Sequence, residues 1–311
     1  MGKIAADLER ALARRDAQGA RGSATPRLLA RGAGWSVDDV LCTSGPRDVP
    51  FEERHEHVCV AIVTAGTFEY RSRTGAELMT PGSLLLGNAG ACFECGHRHH
   101  AGDRCIAFRY APDYFEALAA DTGMRSRDVH FKAVRVPPLR AVAPLVAAAC
   151  AGVTASADLA WDEFALTVAA TALRLAAGLS AGGAASVHAG SLARIAPVVR
   201  LIDGAPDAQW SVESLARRAG VSPYHFVRTF ERATGVTPHQ YVLRARLRLA
   251  AQCLADPYAK IVDIALDCGF NDVSNFNHAF RAEFGASPRA YRLRVVGDRF
   301  APSKRMPMKR A

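Results

Sequence analysis

Two short segments concentrate side chains that ligate metals or react with electrophiles. RHEHV (residues 54–58) and CFECGHRHHAGDRC (residues 92–105) together hold five histidines and three cysteines. His55 and His57 share one face if their segment is extended, and Cys95 and His97 repeat that spacing. These four are the candidates for a tetrahedral metal site. Cys92 and Cys95, with His97 nearby, suit instead a thiol that senses oxidants or alkylating agents. Clusters of this kind also occur in loops and cores with no ligand. No metal or cofactor is assigned from them.

A third segment, DIALDCGFNDVSNFNHAFRAEFG (residues 263–285), carries chemistry of another kind. It reads as a short amphipathic helix, a break at Gly269 and a second helix. At about 100° per residue, Phe276, Phe280 and Phe284 mark one side of the second helix. Ser274, His278 and Arg281 lie opposite, with Asn277 on the flank. Cys268 falls on the inward side of the first helix and reads as a packing residue.

The pattern is one half of an internal repeat. Val212, Leu215, Ala216 and Gly220 recur 49 residues later as Ile261, Ile264, Ala265 and Gly269. Phe226, Phe230, Gly235, Pro238 and Tyr241 recur 50 residues later as Phe276, Phe280, Gly285, Pro288 and Tyr291. The offset changes just after the glycine, where a turn absorbs one residue without disturbing either helix. Each copy is therefore helix, turn, helix. In the first copy Tyr224, Arg228 and Glu231 face outward, with Val227 on the flank. Arg, Asn, Ser and His on a helix in the DNA major groove meet base edges and phosphates.

Charge distribution agrees with that reading. Residues 1–190 carry 20 basic and 20 acidic side chains, whereas residues 191–311 carry 19 and 10. The whole excess of +9 thus sits with the repeat, the footprint of nucleic-acid binding. A chain of 311 residues can hold two domains. From Val37 to Tyr110, short β-branched and aromatic runs alternate with Gly and Pro turns, which predicts an antiparallel β unit. Residues 139–179 predict two helices. The first twenty residues lack the apolar run of a secretory signal, no stretch reads as a membrane span, and eight cysteines are scattered along the chain. A cytoplasmic protein that is not an enzyme is expected.

Residues 192–294 closely resemble the DNA-binding domain of the AraC/XylS family of bacterial transcription regulators. The resemblance rests on SLARRAGVSPYHFVRTFERATGVTPHQY, RLRLAAQCL and IVDIALDCGFNDVSNFNHAFRAEFGASPRAYR. It implies two recognition helices in successive major grooves, with DNA contacts at Tyr224, Val227 and Arg228 and at Ser274, Asn277 and His278; the helix wheel adds Arg281 as a DNA-binding candidate. Val227 departs from a polar reader. Residues 37–110 resemble, more loosely, the cupin-like barrel of such regulators. A metal-binding cupin expects a Glu where Ala61 stands and a His where Phe93 stands.

The expected fold is α+β: an N-terminal cupin-like antiparallel β-barrel with trailing helices, then an all-α domain with two helix-turn-helix motifs. The expected divisions are an N-terminal extension (1–36), a sensor domain (37–135), a helical dimerisation segment (136–179), a linker (180–190), the DNA-binding domain (191–297) and a basic tail (298–311). The resemblance implies double-stranded operator DNA, RNA polymerase, a small-molecule effector and a second copy of the chain as partners, and no membrane. The alternative is a thiol- or metal-responsive regulator that uses Cys92, Cys95 and His97.

Overall fold

The computed structural model describes residues 2–123, 129–154, 159–179 and 189–296. The tail at 298–311 and residues 180–188 of the expected linker lie outside them. In chain order the elements begin with α1 (Lys3–Gln18), β1 (Ala24–Gly32), β2 (Trp35–Cys42), β3 (Phe51–Arg54), β4 (Val58–Gly66) and β5 (Phe68–Ser72). Next come β6 (Gly75–Met79), β7 (Leu84–Gly87), β8 (Cys92–Gly96), β9 (Asp103–Tyr110), α2 (Pro112–Asp121) and β10 (Arg135–Val136). The remainder is helical: α3 (Ala143–Thr154), α4 (Trp161–Ala177), α5 (Ala189–Gly204), α6 (Val212–Ala219), α7 (Pro223–Thr234) and α8 (Pro238–Cys253). It closes with α9 (Ile261–Asp267), α10 (Val273–Phe284) and α11 (Pro288–Val296). Among the described residues, no helix is long and apolar enough to cross a membrane.

The strands form two antiparallel sheets, ordered β1-β2-β9-β4-β7-β10 and β3-β8-β5-β6. They are not closed into a barrel, which corrects the expected closure. Among the described residues the edge strands, β1 and β10 of one sheet and β3 and β6 of the other, form no ladder between the sheets, and the chain crosses between them at the corner of β4 and β5. Gly66 turns the chain there at φ 73°, and a Cβ would meet the Gly102 carbonyl oxygen at 2.2 Å. The chain passes from one sheet to the other at this point, and each sheet keeps its own edges. Residues 3–32, which fall in the expected extension, supply α1 and the edge strand β1.

The central strands β9, β4 and β7 of the six-stranded sheet are covered on both faces, whereas its edge strand β1 is largely exposed. The outer face of the sheet packs with α1 through Ile4, Leu8 and Leu12 and with α4 through Phe164, Val168 and Ala172. Its inner face meets the smaller sheet through Cys59, Ala61, Val63, Cys105 and Ala107. Strand β4 therefore reads as an almost continuous apolar run, as doubly covered strands do. A network of charge secures α1. Arg104 donates two hydrogen bonds of 2.8 Å to Asp39 and one of 3.1 Å to Asp7 of α1.

Both helix-turn-helix copies are present. The first is α6 and α7; Ser211 caps α6 in a capping box, Ser222 caps α7, and Pro223 opens α7. The second is α9 and α10, where Asp272 accepts from the Ser274 and Asn275 backbone N–H groups at 2.9 and 3.0 Å. The break at Gly269 has φ 83°, and a Cβ there would meet the Asp207 carbonyl oxygen at 2.6 Å. Only glycine fits both demands. Phe276 and Phe280 are fully buried beside Phe270 and Phe284. Cys268 is buried in the same cluster, as expected of a packing residue.

Truncating Phe276 to Ala should cost roughly 3–5 kcal/mol, as a buried cavity does. Urea unfolding of the variant checks this. A midpoint equal to that of the parent would remove Phe276 from the core.

Candidate functional site

The outward face of each second helix is uncovered. In α7, Tyr224 is 73% exposed and Arg228 is exposed beside it. The Arg228 guanidinium lies 5.7 Å from the Tyr224 ring centroid and donates to its hydroxyl at 3.3 Å. Val227 is half-buried and packs on the first core, so its position is shared between packing and surface. In α10, Ser274, Asn277, His278 and Arg281 are all exposed. The residues expected to face outward thus form two matching surfaces, one on each copy.

Helix α8 joins them. Tyr241, Val242 and Ala245 belong to the core around Phe226 and Phe230, whereas Leu247, Ala250 and Ala251 belong to the core around Phe276 and Phe280. Its arginines point inward. Arg244 pairs with Glu283 of α10 at 3.3 Å, and Arg248 pairs with Asp203 of α5 at 3.0 Å. Arg246 donates to the Pro206 and Ala208 carbonyls at 2.9 and 3.0 Å. The basic residues of α8 therefore brace the domain, and its exposed basic residues lie on other helices, among them Arg217, Arg218, Arg228 and Arg281.

The sheet region bears directly on the helical one. Arg135 of β10 is buried and donates to the Leu78 carbonyl at 2.7 Å and to the Ala233 carbonyl at the end of α7 at 2.6 Å. Glu77 completes its contacts at 2.8 Å. Arg200 of α5 donates to the Ala101 and Gly102 carbonyls at 2.9 and 3.3 Å, in the loop between β8 and β9.

That loop borders a cavity of about 700 Å³ between the sheets. Odd-numbered residues of β9 (Asp103, Cys105, Ala107 and Arg109) line it, together with Cys42, Cys59, Cys95 and His97. Burial pushes the Cys59 thiol up to about 11 and raises Cys95 and Cys105 well above the usual thiol range, so these thiols are protonated at neutral pH. Burial alone would suppress charge on His97. Its bonds to Asp103 (2.7 Å) and Cys42 outweigh that and hold the imidazole at about 10.

The four residues of the expected His/Cys grouping, His55, His57, Cys95 and His97, all line this cavity, but from elements other than those expected. His55 and His57 fall in the turn between β3 and β4, not on a strand, and His57 is exposed while His55 is half-buried. Cys92 and Cys95 sit three apart on β8, so they point to opposite faces; Cys92 is exposed and Cys95 buried. Among the described residues, the group that converges is instead Cys42, His97 and Asp103, whose ligand atoms lie within 4.8 Å of one another. Only His97 of that trio stood among the expected ligands. The alternation of small and polar side chains in DRCIAFRY was the signal for Asp103 and Cys105.

The helix-turn-helix domain family matches residues 215–294. LumQ of Photobacterium leiognathi, a probable transcriptional regulator, is 42% identical over 83 residues, covering 27% of this chain and 34% of LumQ. The chain thus spans about a third of that relative's length. The regulatory protein SoxS of Salmonella typhimurium is 33% identical over 101 residues, 32% of this chain and 94% of SoxS. The chain belongs to the AraC/XylS family of transcription regulators. The solved DNA-binding domain of AdpA in complex with a target DNA is 33% identical, covering 32% of this chain and 91% of that one, with a TM-score of 0.32. The matched part of this AraC/XylS chain is the helical region that holds both uncovered helices. Its sheet region is unassigned.

In that sheet region of the AraC/XylS chain, His55 stacks on Phe93 at 4.1 Å and shares a 2.8 Å hydrogen bond with the Tyr70 hydroxyl. Burial, with Arg109 nearby, lowers its pKa from 6.5 to about 4. The unfolded chain takes up this proton at the higher pH, so folding loses stability as pH falls through that window. Urea midpoints measured from pH 6.5 down to 4 should fall more steeply for the parent than for His55→Phe. Parallel profiles would contradict the neutral, buried imidazole.

Proposed function

We propose that the chain is a sequence-specific DNA-binding transcription regulator that reads two successive major grooves with α7 and α10. The observation that carries this is the pair of matching uncovered helix faces, each on its own core and joined by one helix shared between the cores. Tyr224, Val227 and Arg228 form one reader, and Ser274, Asn277, His278 and Arg281 the other. Since α8 is continuous, the readers keep a fixed spacing, which suits grooves about 34 Å apart. The two faces differ in sequence, so each chain reads an asymmetric site.

The finer reading of the sheet region is an effector-binding unit of the cupin kind, spanning about residues 37–135. A cavity of about 700 Å³ lies within the size range of small-molecule sites. Arg135 and Arg200 offer the route from that unit to α7 and α5. Among the described residues of the segment 136–179, α4 is the helix better suited to dimerisation. The flank of α3 is covered, with Ala143 and Ala147 in the second helix-turn-helix core. Helix α4 leaves Leu166, Thr167 and Ala170 on its outer side.

Selection from random duplexes by the full chain tests the main reading. An enriched site with two contacted segments about one helical turn apart is expected. On that site Arg228→Ala and His278→Ala should each lose roughly 10–100-fold in affinity at fixed salt, with unfolding midpoints unchanged. No enrichment, or full affinity in both variants, would refute it.

A further inference from the structure

We propose that Cys42, His97 and Asp103 bind a divalent transition-metal cation of the zinc class at the wall of the inter-sheet cavity. The three residues come from three places: the last residue of β2, the segment after β8 and the first residue of β9. Cys42 and Asp103 are register partners on adjacent antiparallel strands, so their side chains share a face. The β8 segment crosses from the opposite sheet and sets His97 against them. All three residues are buried, and one ligand atom from each lies within 4.8 Å of the other two. Donors bonded at about 2.0–2.3 Å to one tetrahedral cation stand roughly 3.3–3.8 Å apart, so side-chain movements of about 1 Å close the set.

The donor types choose the cation. A thiolate with an imidazole and a carboxylate favours zinc-class ions, whereas calcium and magnesium take oxygen ligands. The Cys105 thiol donates to the second oxygen of Asp103 at 3.2 Å, an outer contact that orients a ligating carboxylate. Three protein ligands leave a fourth coordination position, and all three line the cavity of about 700 Å³. Water or a small molecule entering the cavity can occupy it. Ligation takes up thiolate sulfur and an unprotonated imidazole nitrogen, so binding is linked to proton release and tightens as pH rises. This site differs from the grouping of His55, His57, Cys95 and His97 suggested by sequence spacing; it shares only His97 with it.

The assignment names the chemistry of the effector unit proposed above, but its test involves no DNA, so either reading can fail alone. The full chain, stripped with chelator, is titrated with zinc by calorimetry. About one equivalent should bind, and Cys42→Ser and His97→Gln should each weaken binding by roughly 100-fold or more. Cys92→Ser, at an exposed thiol on the opposite face of β8, should bind as the parent does. Circular dichroism checks that each variant is folded. If Cys42→Ser does not fold, cobalt loaded into the parent decides instead, through a thiolate-to-cobalt charge-transfer band. No bound equivalent, binding that survives both substitutions in folded protein, or a cobalt spectrum without thiolate ligation would overturn the site.

Discussion

One helix has to serve two hydrophobic cores, and much else follows from that demand. The first half of α8 supplies Tyr241, Val242 and Ala245 to the core behind α7, and its second half supplies Leu247, Ala250 and Ala251 to the core behind α10. A helix of 16 residues is about 24 Å long, so each core receives roughly two turns. With apolar demand on two sides, little of its circumference is left for solvent. That is why Arg244, Arg246 and Arg248 end in internal pairs and carbonyl contacts. Interior carboxylates and carbonyls stand where an exposed helix would offer its arginines to water or phosphate. The shared helix also removes the freedom a flexible connector would give, so the spacing between the reading faces is a property of the core.

The sheet region takes part in both of those cores. Leu78 of β6 packs in the first, and Ala143 and Ala147 of α3 pack in the second. Arg135 adds a polar tie at the first contact. Its guanidinium is buried and is satisfied by two backbone carbonyls and one carboxylate. Such a group is held by geometry, because moving either carbonyl away would leave a buried charge without its partners. Through this one side chain the smaller sheet and the C-terminal end of α7 share a buried partner. Glu283 does the same service at the second contact, where it receives Arg244 and Arg140 at the base of α10.

The helical region was readable from sequence because its signals are local and repeated. Phenylalanines at four-residue spacing, a glycine after each first helix and the caps Ser211, Ser222, Thr237 and Asp272 indicate where α6, α7, α8 and α10 start and how the second helices face. Two copies make each signal check the other. Val227 shows the limit: the wheel places it on the flank, and only packing reveals that it is half-buried. The sheet region was readable as antiparallel strands but not as two separate sheets. Closure depends on which edges pair, and the corner at Gly66 depends on a loop 36 residues farther along the chain. The candidate site was least readable. Cys42, His97 and Asp103 are brought together by strand register and by the facing of two sheets, neither of which has a local signature. Proximity in sequence favoured Cys92 with Cys95, and the two-residue period of a strand separates them.

The same period explains why the cavity exists. On β9 the even residues Arg104, Ile106, Phe108 and Tyr110 face the helical layer, while Asp103, Cys105, Ala107 and Arg109 face the opposite sheet. Large side chains thus fill one side of the strand, and small or polar ones occupy the other. Beside them on the same face, Ala61 and Cys59 of β4 are equally small. A sandwich interior of ordinary density needs bulky residues to interdigitate over about 10 Å. With Ala and Cys on the six-stranded side, the remaining space is left to the rings of Phe68, Tyr70 and Phe93 and to a void. A void costs packing energy, and burying His97 and Asp103 beside it costs more unless both are partnered. They partner each other. An apolar interior would satisfy the fold at lower cost, so the effector reading proposed above accounts at once for the small residues and for the buried polar group.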